Sequence, residues 1–162
     1  MTANSELNRE MLRHITASLA YRATKTFRGA PDTFGDFRVD EKSRSSTEIL
    51  AHMGDLFDWA ISMLKGKEIW HDSHPQNWNS EVTRFLNSLQ MFDKYLADNE
   101  PIACSPYRIF QGPVADAFTH TGQLAMLRRL SGSPIRGENY FAADIKIGEV
   151  GLEQSMPRKE FD

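Results

Sequence analysis

Residues 116–130 read DAFTHTGQLAMLRRL and predict an amphipathic α-helix with one unusual stripe. Most of these residues are apolar or small, as expected for a helix that packs against a core. Asp116, His120 and Gln123 follow at spacings of four and three, so their side chains share one helix face. A carboxylate, an imidazole and an amide on one face indicate either a solvated stripe or a site that performs chemistry.

A second stretch, residues 45–60, reads SSTEILAHMGDLFDWA and predicts the start of another helix. Ser45 followed by Glu48 is a capping box, and Gly66 is a typical helix stop. His52 falls on the apolar face of this helix. An inward histidine is most often hydrogen-bonded within the core, but here a facing helix carries a carboxylate and a second histidine.

Periodicity predicts three further helices. One helix extends from about Ser5 to Thr26, another from about Asn79 to Asp98, and the last begins at about Tyr107. Pro113 should kink that last helix or mark the start of its regular part. In the first helix the apolar spacing places these residues toward the core: Leu7, Met11, Ile15 and Leu19.

The length of 162 residues suits a single domain, residues 1–162. The connection 27–44 is long and rich in glycine, proline and charge, so it favours an all-α four-helix bundle with a crossover after the first helix. Such bundles build metal and ligand sites from facing helices. Residues 135–162 are expected to form a C-terminal tail packed on the bundle.

Composition excludes several classes of function. The net charge is −3, which argues against binding to nucleic acid or an anionic membrane. No stretch approaches the roughly 18 apolar residues of a membrane span, and the first residues do not resemble a signal peptide. The single cysteine, Cys104, precludes an internal disulfide, which is typical of a cytoplasmic protein, and no histidine lies near it in sequence to activate its thiol.

The polar groups are compatible with a metal site formed by His52, Asp116 and His120, although their spacing alone is a weak signal for metal. Two imidazoles and a carboxylate suit one divalent ion, and Zn, Ni, Fe or Mn all accept this ligand set. Three protein ligands leave a position for water or substrate, as in catalytic sites. The alternative is a buried hydrogen-bonded group without metal. For the pair His71 and His74, a solvated loop is favoured over a metal site.

The chain resembles the DinB/YfiT-like superfamily of metalloenzymes. Three segments carry the resemblance: STEILAHMGDLFDWA (46–60), QGPVADAFTHTGQLAMLRRL (111–130) and ENYFAADIKIGEVG (138–151). The resemblance implies a four-helix bundle in up-down-down-up order with a long crossover between the first two helices, in agreement with the connection 27–44.

The resemblance also implies a divalent metal held by three histidines. His52 and His120 match the first and last of these positions, and Asp116 stands where the family has a histidine. The site is therefore either a two-histidine, one-carboxylate centre or a degenerate one. We prefer the former, because aspartate is a competent hard ligand at the same spacing.

Relatives in this superfamily include transferases that use low-molecular-weight thiols. The resemblance thus implies a metal-dependent thiol S-transferase that takes a small thiol and an electrophile, with Gln123, His14 and Tyr21 as candidates for the substrate pocket. Two alternatives remain open: a non-catalytic bundle that binds a ligand or partner through a degenerate site, and a metal-dependent hydrolase. We expect a homodimer, to which Trp59, Trp70 and Trp78 are candidate contributors.

Overall fold

The computed structural model describes residues 3–161 as an all-helical bundle with one very short β-ribbon. The helices are α1 (Ala3–Phe27), α2 (Ser46–Leu64), α3 (Trp78–Ala97), α4 (Pro106–Ile109) and α5 (Ala115–Leu130). The predicted helical class is confirmed, and the predicted boundaries are close to the observed ones. Within residues 3–161, no helix has the length and apolar character that crossing a membrane requires.

Helix α2 begins with the predicted capping box. The Ser45 hydroxyl accepts a hydrogen bond from the Glu48 backbone N–H, and the Glu48 carboxylate accepts one from the Ser45 N–H at 2.6 Å. The helix ends where Gly66 adopts a left-handed φ of 76°, a conformation that costs glycine little. Local chemistry therefore sets both ends of the helix that carries His52.

The fourth helical stretch is kinked before the part that carries Asp116 and His120. A π-helical turn, Phe110–Val114, separates α4 from α5, and Gly112 within it has φ −90° and ψ −105°. Pro113 follows at once and has no N–H to donate to a continuous helix. The predicted kink is confirmed, and regular helix resumes at Ala115, so Asp116 lies in the first turn of α5.

The long helices pack in a ring. Helices α1 and α2 each contact both α3 and α5, which places α1 and α2 diagonally across the bundle. The intervening connection contains a 3₁₀ turn whose Phe34 is fully buried and packs edge-on against Trp78 at 5.0 Å between ring centroids. Trp78 therefore belongs to the core and is not available for the dimer face expected of it.

The predicted core face of α1 is wrong for its first residues. Leu7 and Met11 are more than half exposed, and Ile15 only borders the core. The buried face carries Leu12 and Leu19 together with a run of small residues: Ala17, Ala20 and Ala23. The prediction relied on the spacing of the large apolar side chains. In the structure α1 packs closely against its neighbours, which favours alanine on the buried face.

The C-terminal residues pack against α1. Strand β1 (Gly137–Glu138) pairs antiparallel with β2 (Glu160–Phe161) in a two-stranded ribbon. The buried Glu138 carboxylate accepts hydrogen bonds from the Tyr21 hydroxyl and the Lys25 ammonium, both at 2.7 Å. Val150 is buried in the hydrophobic core. The segment after α5 thus contributes both an ion pair and apolar contacts to the bundle.

Candidate metal centre

Contact between α2 and α5 brings the three predicted ligands together. His52 Nε2 lies 3.5 Å from Asp116 Oδ2, and His120 Nε2 lies 3.4 Å from Asp116 Oδ1. The two imidazole rings are edge-to-face with centroids 4.9 Å apart. One ligand atom from each residue falls within 4.8 Å of the others, so the group has the composition and spacing to hold a metal ion.

These separations are longer than good hydrogen bonds, which lie at about 2.7–3.2 Å. Ligand atoms bound to one tetrahedral ion at about 2.1 Å each are separated by about 3.4 Å, by simple trigonometry. The distances of 3.4 and 3.5 Å that join Asp116 to the two histidines are closer to the separation of ligand atoms around one ion than to the length of a hydrogen bond. The two distances involve different oxygens of the Asp116 carboxylate, Oδ2 for His52 and Oδ1 for His120, and the three side chains together have the spacing of a group that could hold a metal ion.

Gln123 orients His120. Its Oε1 lies 2.8 Å from His120 Nδ1, and an amide oxygen only accepts, so Nδ1 is the donor. In the neutral imidazole this leaves the Nε2 lone pair directed at Asp116. Two acceptors that face one another need a cation between them, either a metal ion or a proton. A side chain that fixes the tautomer of a ligating histidine is a recurrent feature of metal sites.

The surroundings of His52 favour its neutral form. Burial lowers the pKa of His52, and the nearby His120 and Arg44 lower it further, against the opposing effect of Asp116. A neutral imidazole has the free lone pair that metal binding requires. The Trp70 ring packs edge-on against His52 at 5.7 Å and is itself packed against Trp59 at 5.7 Å. Nothing in the local sequence of Trp70 predicted this contact.

Two grooves lead to the cluster. One, of about 380 Å³, is lined by His120 and Gln123 together with Arg44 and several apolar side chains. The other, of about 400 Å³, is lined by Asp116 and Trp59. Asp116 is 45% exposed, so the cluster is open to solvent on its carboxylate side. The arrangement leaves room for ligands from outside the protein.

A second cluster of possible ligands already contains a cation. Asp55, Asp58 and His71 lie close enough to share an ion. However, Arg84 Nη1 occupies this position, 3.0 Å from Asp55 Oδ1 and 3.3 Å from Asp58 Oδ2, and its Nε is 2.8 Å from Glu81 Oε2. We interpret this group as a structural ion-pair network. The sequence did not predict it, because residues from three chain segments meet here.

The remaining candidates lie elsewhere. His14 lines a groove beside Tyr140, and Tyr21 is buried with its hydroxyl on Glu138, so neither borders the histidine–aspartate cluster. His74 is exposed and takes no part in either cluster. Burial raises the pKa of the Cys104 thiol, which disfavours the nucleophilic thiolate at neutral pH. Of the predicted pocket residues, Gln123 alone touches the cluster.

Similarity to known proteins does not assign a function to this centre. No family model, no curated protein and no solved structure matches the chain.

Proposed function

We propose that this chain is a divalent-metal-dependent enzyme of the DinB/YfiT-like type that transfers a low-molecular-weight thiol to an electrophile. One observation carries the proposal: Asp116 lies 3.4–3.5 Å from the Nε2 atoms of both His52 and His120. Neither distance is that of a strong hydrogen bond, and both suit ligands of one ion. The aspartate then replaces a histidine ligand instead of leaving a degenerate site.

The side chains around the ion have separate tasks. A bound divalent ion would supply Lewis acidity that lowers the pKa of a thiol or water. Gln123 holds the His120 ring so that Nε2 faces the centre, and burial lowers the pKa of His52, which favours the neutral imidazole. Asp116 contributes a negative charge at the open side, where the substrate approaches. None of these tasks needs a catalytic cysteine.

The two grooves favour a reaction of two substrates. The groove on the His120 side is mainly apolar, whereas the groove on the Asp116 side includes the polar Gln111 and Thr119. A transferase must bring two molecules to one centre, and separate approaches serve this purpose. A hydrolase would need only one groove for its substrate, because water is the other reactant.

The arrangement of helices supports the same family. Helices α1 and α2 are diagonal in the ring and are joined by the long connection 28–45. The resemblance to the family implies a long crossover at this place. Imidazole and carboxylate ligands narrow the metal to Zn, Ni, Fe or Mn, and availability in the cell selects among them.

Metal content tests the centre. We expect close to one ion per chain by mass spectrometry in untagged wild-type protein and none in His52→Ala, Asp116→Ala or His120→Ala. The matched control is His71→Ala, which changes a histidine in the Arg84 cluster and should keep the ion. No ion in the wild type after addition of Zn²⁺, Ni²⁺, Mn²⁺ or Fe²⁺ would refute the metal centre.

Thiol dependence tests the reaction. We expect metal-loaded protein to consume 1-chloro-2,4-dinitrobenzene or a related electrophile only when a small thiol is present, with turnover lost in Asp116→Ala while the circular dichroism spectrum is retained. Turnover without any thiol would favour a hydrolase. Metal binding without turnover on any tested pair would favour a ligand-binding bundle.

A further inference from the structure

The groove on the His120 side has an apolar floor and an apolar rim. Ile49 and Leu127 are buried and form its floor. Val39, Met126 and Leu130 line its edge and are each more than half exposed, at 62%, 54% and 55%. Exposed apolar side chains gathered around one concave site, in contrast to scattered ones, mark a binding surface.

Arg44 supplies the positive charge of this groove. No hydrogen bond or ion pair of its guanidinium is found among the residues that the structure describes. The nearby Glu48 carboxylate is already engaged, since it accepts from the Ser45 N–H at 2.6 Å and lies 3.4 Å from Arg38 Nη2. Arg44 therefore has donors to offer to an anionic group from outside the chain.

The other polar residues of the groove belong to the candidate metal centre. His120 and Gln123 line it beside the apolar surface. A molecule in the groove thus has three features around it: a guanidinium, a hydrocarbon surface and the imidazole of the candidate metal centre. The volume of about 380 Å³ lies within the range of small-molecule sites, roughly 300–1,000 Å³.

We propose that this groove binds the electrophilic substrate and that this substrate is an apolar monocarboxylate. Its carboxylate pairs with Arg44, its hydrocarbon body lies over Met126 and Leu130, and its reacting end lies at His120. The role as a substrate rests on the proposed metal-dependent function, whereas binding itself requires only the groove. A free small molecule is favoured over a membrane lipid, because the site is a single pocket with one positive charge.

Calorimetric titration with octanoate, octyltrimethylammonium and butyrate tests this assignment on metal-loaded and on chelator-treated protein. We expect one octanoate per chain in both forms. The cationic probe and the shorter butyrate should each bind about tenfold more weakly or worse, because each lacks one of the two contacts. Met126 methyl resonances should shift on addition of octanoate, which places the ligand in this groove.

Two arginine variants locate the carboxylate. Arg44→Gln should weaken octanoate binding about tenfold and leave the cationic probe unaffected or slightly strengthened. Arg129→Gln removes the same charge from an exposed position on α5 that lines a different groove, and should change neither affinity. Equal affinity for octanoate in both variants and wild type would overturn the proposal.

The two forms of the protein separate this proposal from the metal-dependent function. Octanoate binding that disappears on chelation and ignores Arg44→Gln would mean that the carboxylate binds the ion, and would overturn the groove assignment while the metal centre stands. Octanoate binding that depends on Arg44 in protein that takes up no metal would support the groove while the proposed function fails. Binding to anionic lipid vesicles without binding of free octanoate would also overturn the assignment.

Discussion

His120 and Gln123 lie one helical turn apart on α5, and the 2.8 Å contact between His120 Nδ1 and Gln123 Oε1 directs the other ring nitrogen toward Asp116. The contact makes one imidazole tautomer the favoured one. If the cluster holds a metal ion, this contact therefore gives a residue outside the ligand set an influence on metal affinity.

Gln123→Leu should weaken metal affinity about 10- to 100-fold, because it leaves the His120 ring free to rotate and to change tautomer. Gln123→Glu keeps an acceptor at the same position and should retain most of the affinity. Competition with a chromogenic chelator measures both constants. Equal affinity in Gln123→Leu and wild type would mean that packing alone orients the ring.

Trp70 should report metal binding directly. Its ring lies 5.7 Å from that of His52 and is 41% exposed. Open-shell ions such as Ni²⁺ quench tryptophan emission at short range, so we expect quenching that saturates at one ion per chain. Trp70→Phe should remove most of this quenching, and His120→Ala should abolish its saturable part. Unchanged quenching in Trp70→Phe would mean that Trp70 does not report the ion, and Trp59, which lines the groove beside Asp116, would then be its reporter.

We expect substitution of Arg84 to reduce the stability of the protein more than its activity. Its guanidinium serves two carboxylates that are almost completely buried, Asp55 at 4% and Glu81 at 3% side-chain exposure. Arg84→Leu removes the guanidinium that pairs with both carboxylates, and we expect a loss of about 3 kcal/mol in the free energy of unfolding. Urea denaturation measures it.

The matched control for Arg84 is Arg129→Leu. Arg129 is exposed on α5, and its loss should change the free energy of unfolding by no more than about 0.5 kcal/mol. An equal effect of the two substitutions would mean that the network around Asp55 contributes little net stability.

The capping box of α2 predicts a pH dependence of stability. The hydrogen bond from the Ser45 backbone N–H lowers the pKa of Glu48, and Arg38 and Arg44 lower it further. Since the folded pKa lies below the unfolded one, near 4.3, the stabilisation is complete above that value and is lost as the pH falls through the folded pKa.

Glu48→Gln should therefore be less stable than wild type by about 0.5 kcal/mol at pH 7, with the difference shrinking toward zero at pH 3. The amide keeps an acceptor for Ser45, so the comparison isolates the charge. Urea midpoints across this pH range measure it, and Glu41→Gln in the exposed connection serves as control. A difference that does not vary with pH would contradict the role of the charge.

Local features of this chain were predictable because their causes are local. Ser45 and Glu48 start α2, and Pro113 interrupts the fourth helical stretch. Each effect arises from backbone groups within a few residues. The shared face of Asp116, His120 and Gln123 follows in the same way from the helical repeat.

The sequence alone determined the helices, their ends and the polar stripe on α5, because helical periodicity and capping act between residues three or four apart. Only the tertiary structure decided that His52 lies 3.5 Å from Asp116 of this stripe, that Trp70 packs against His52 and that Arg84 pairs with the Asp55 cluster. It also turned Leu7 and Met11 outward on α1. These outcomes depend on how distant segments pack against one another, and no spacing within a single segment encodes that packing.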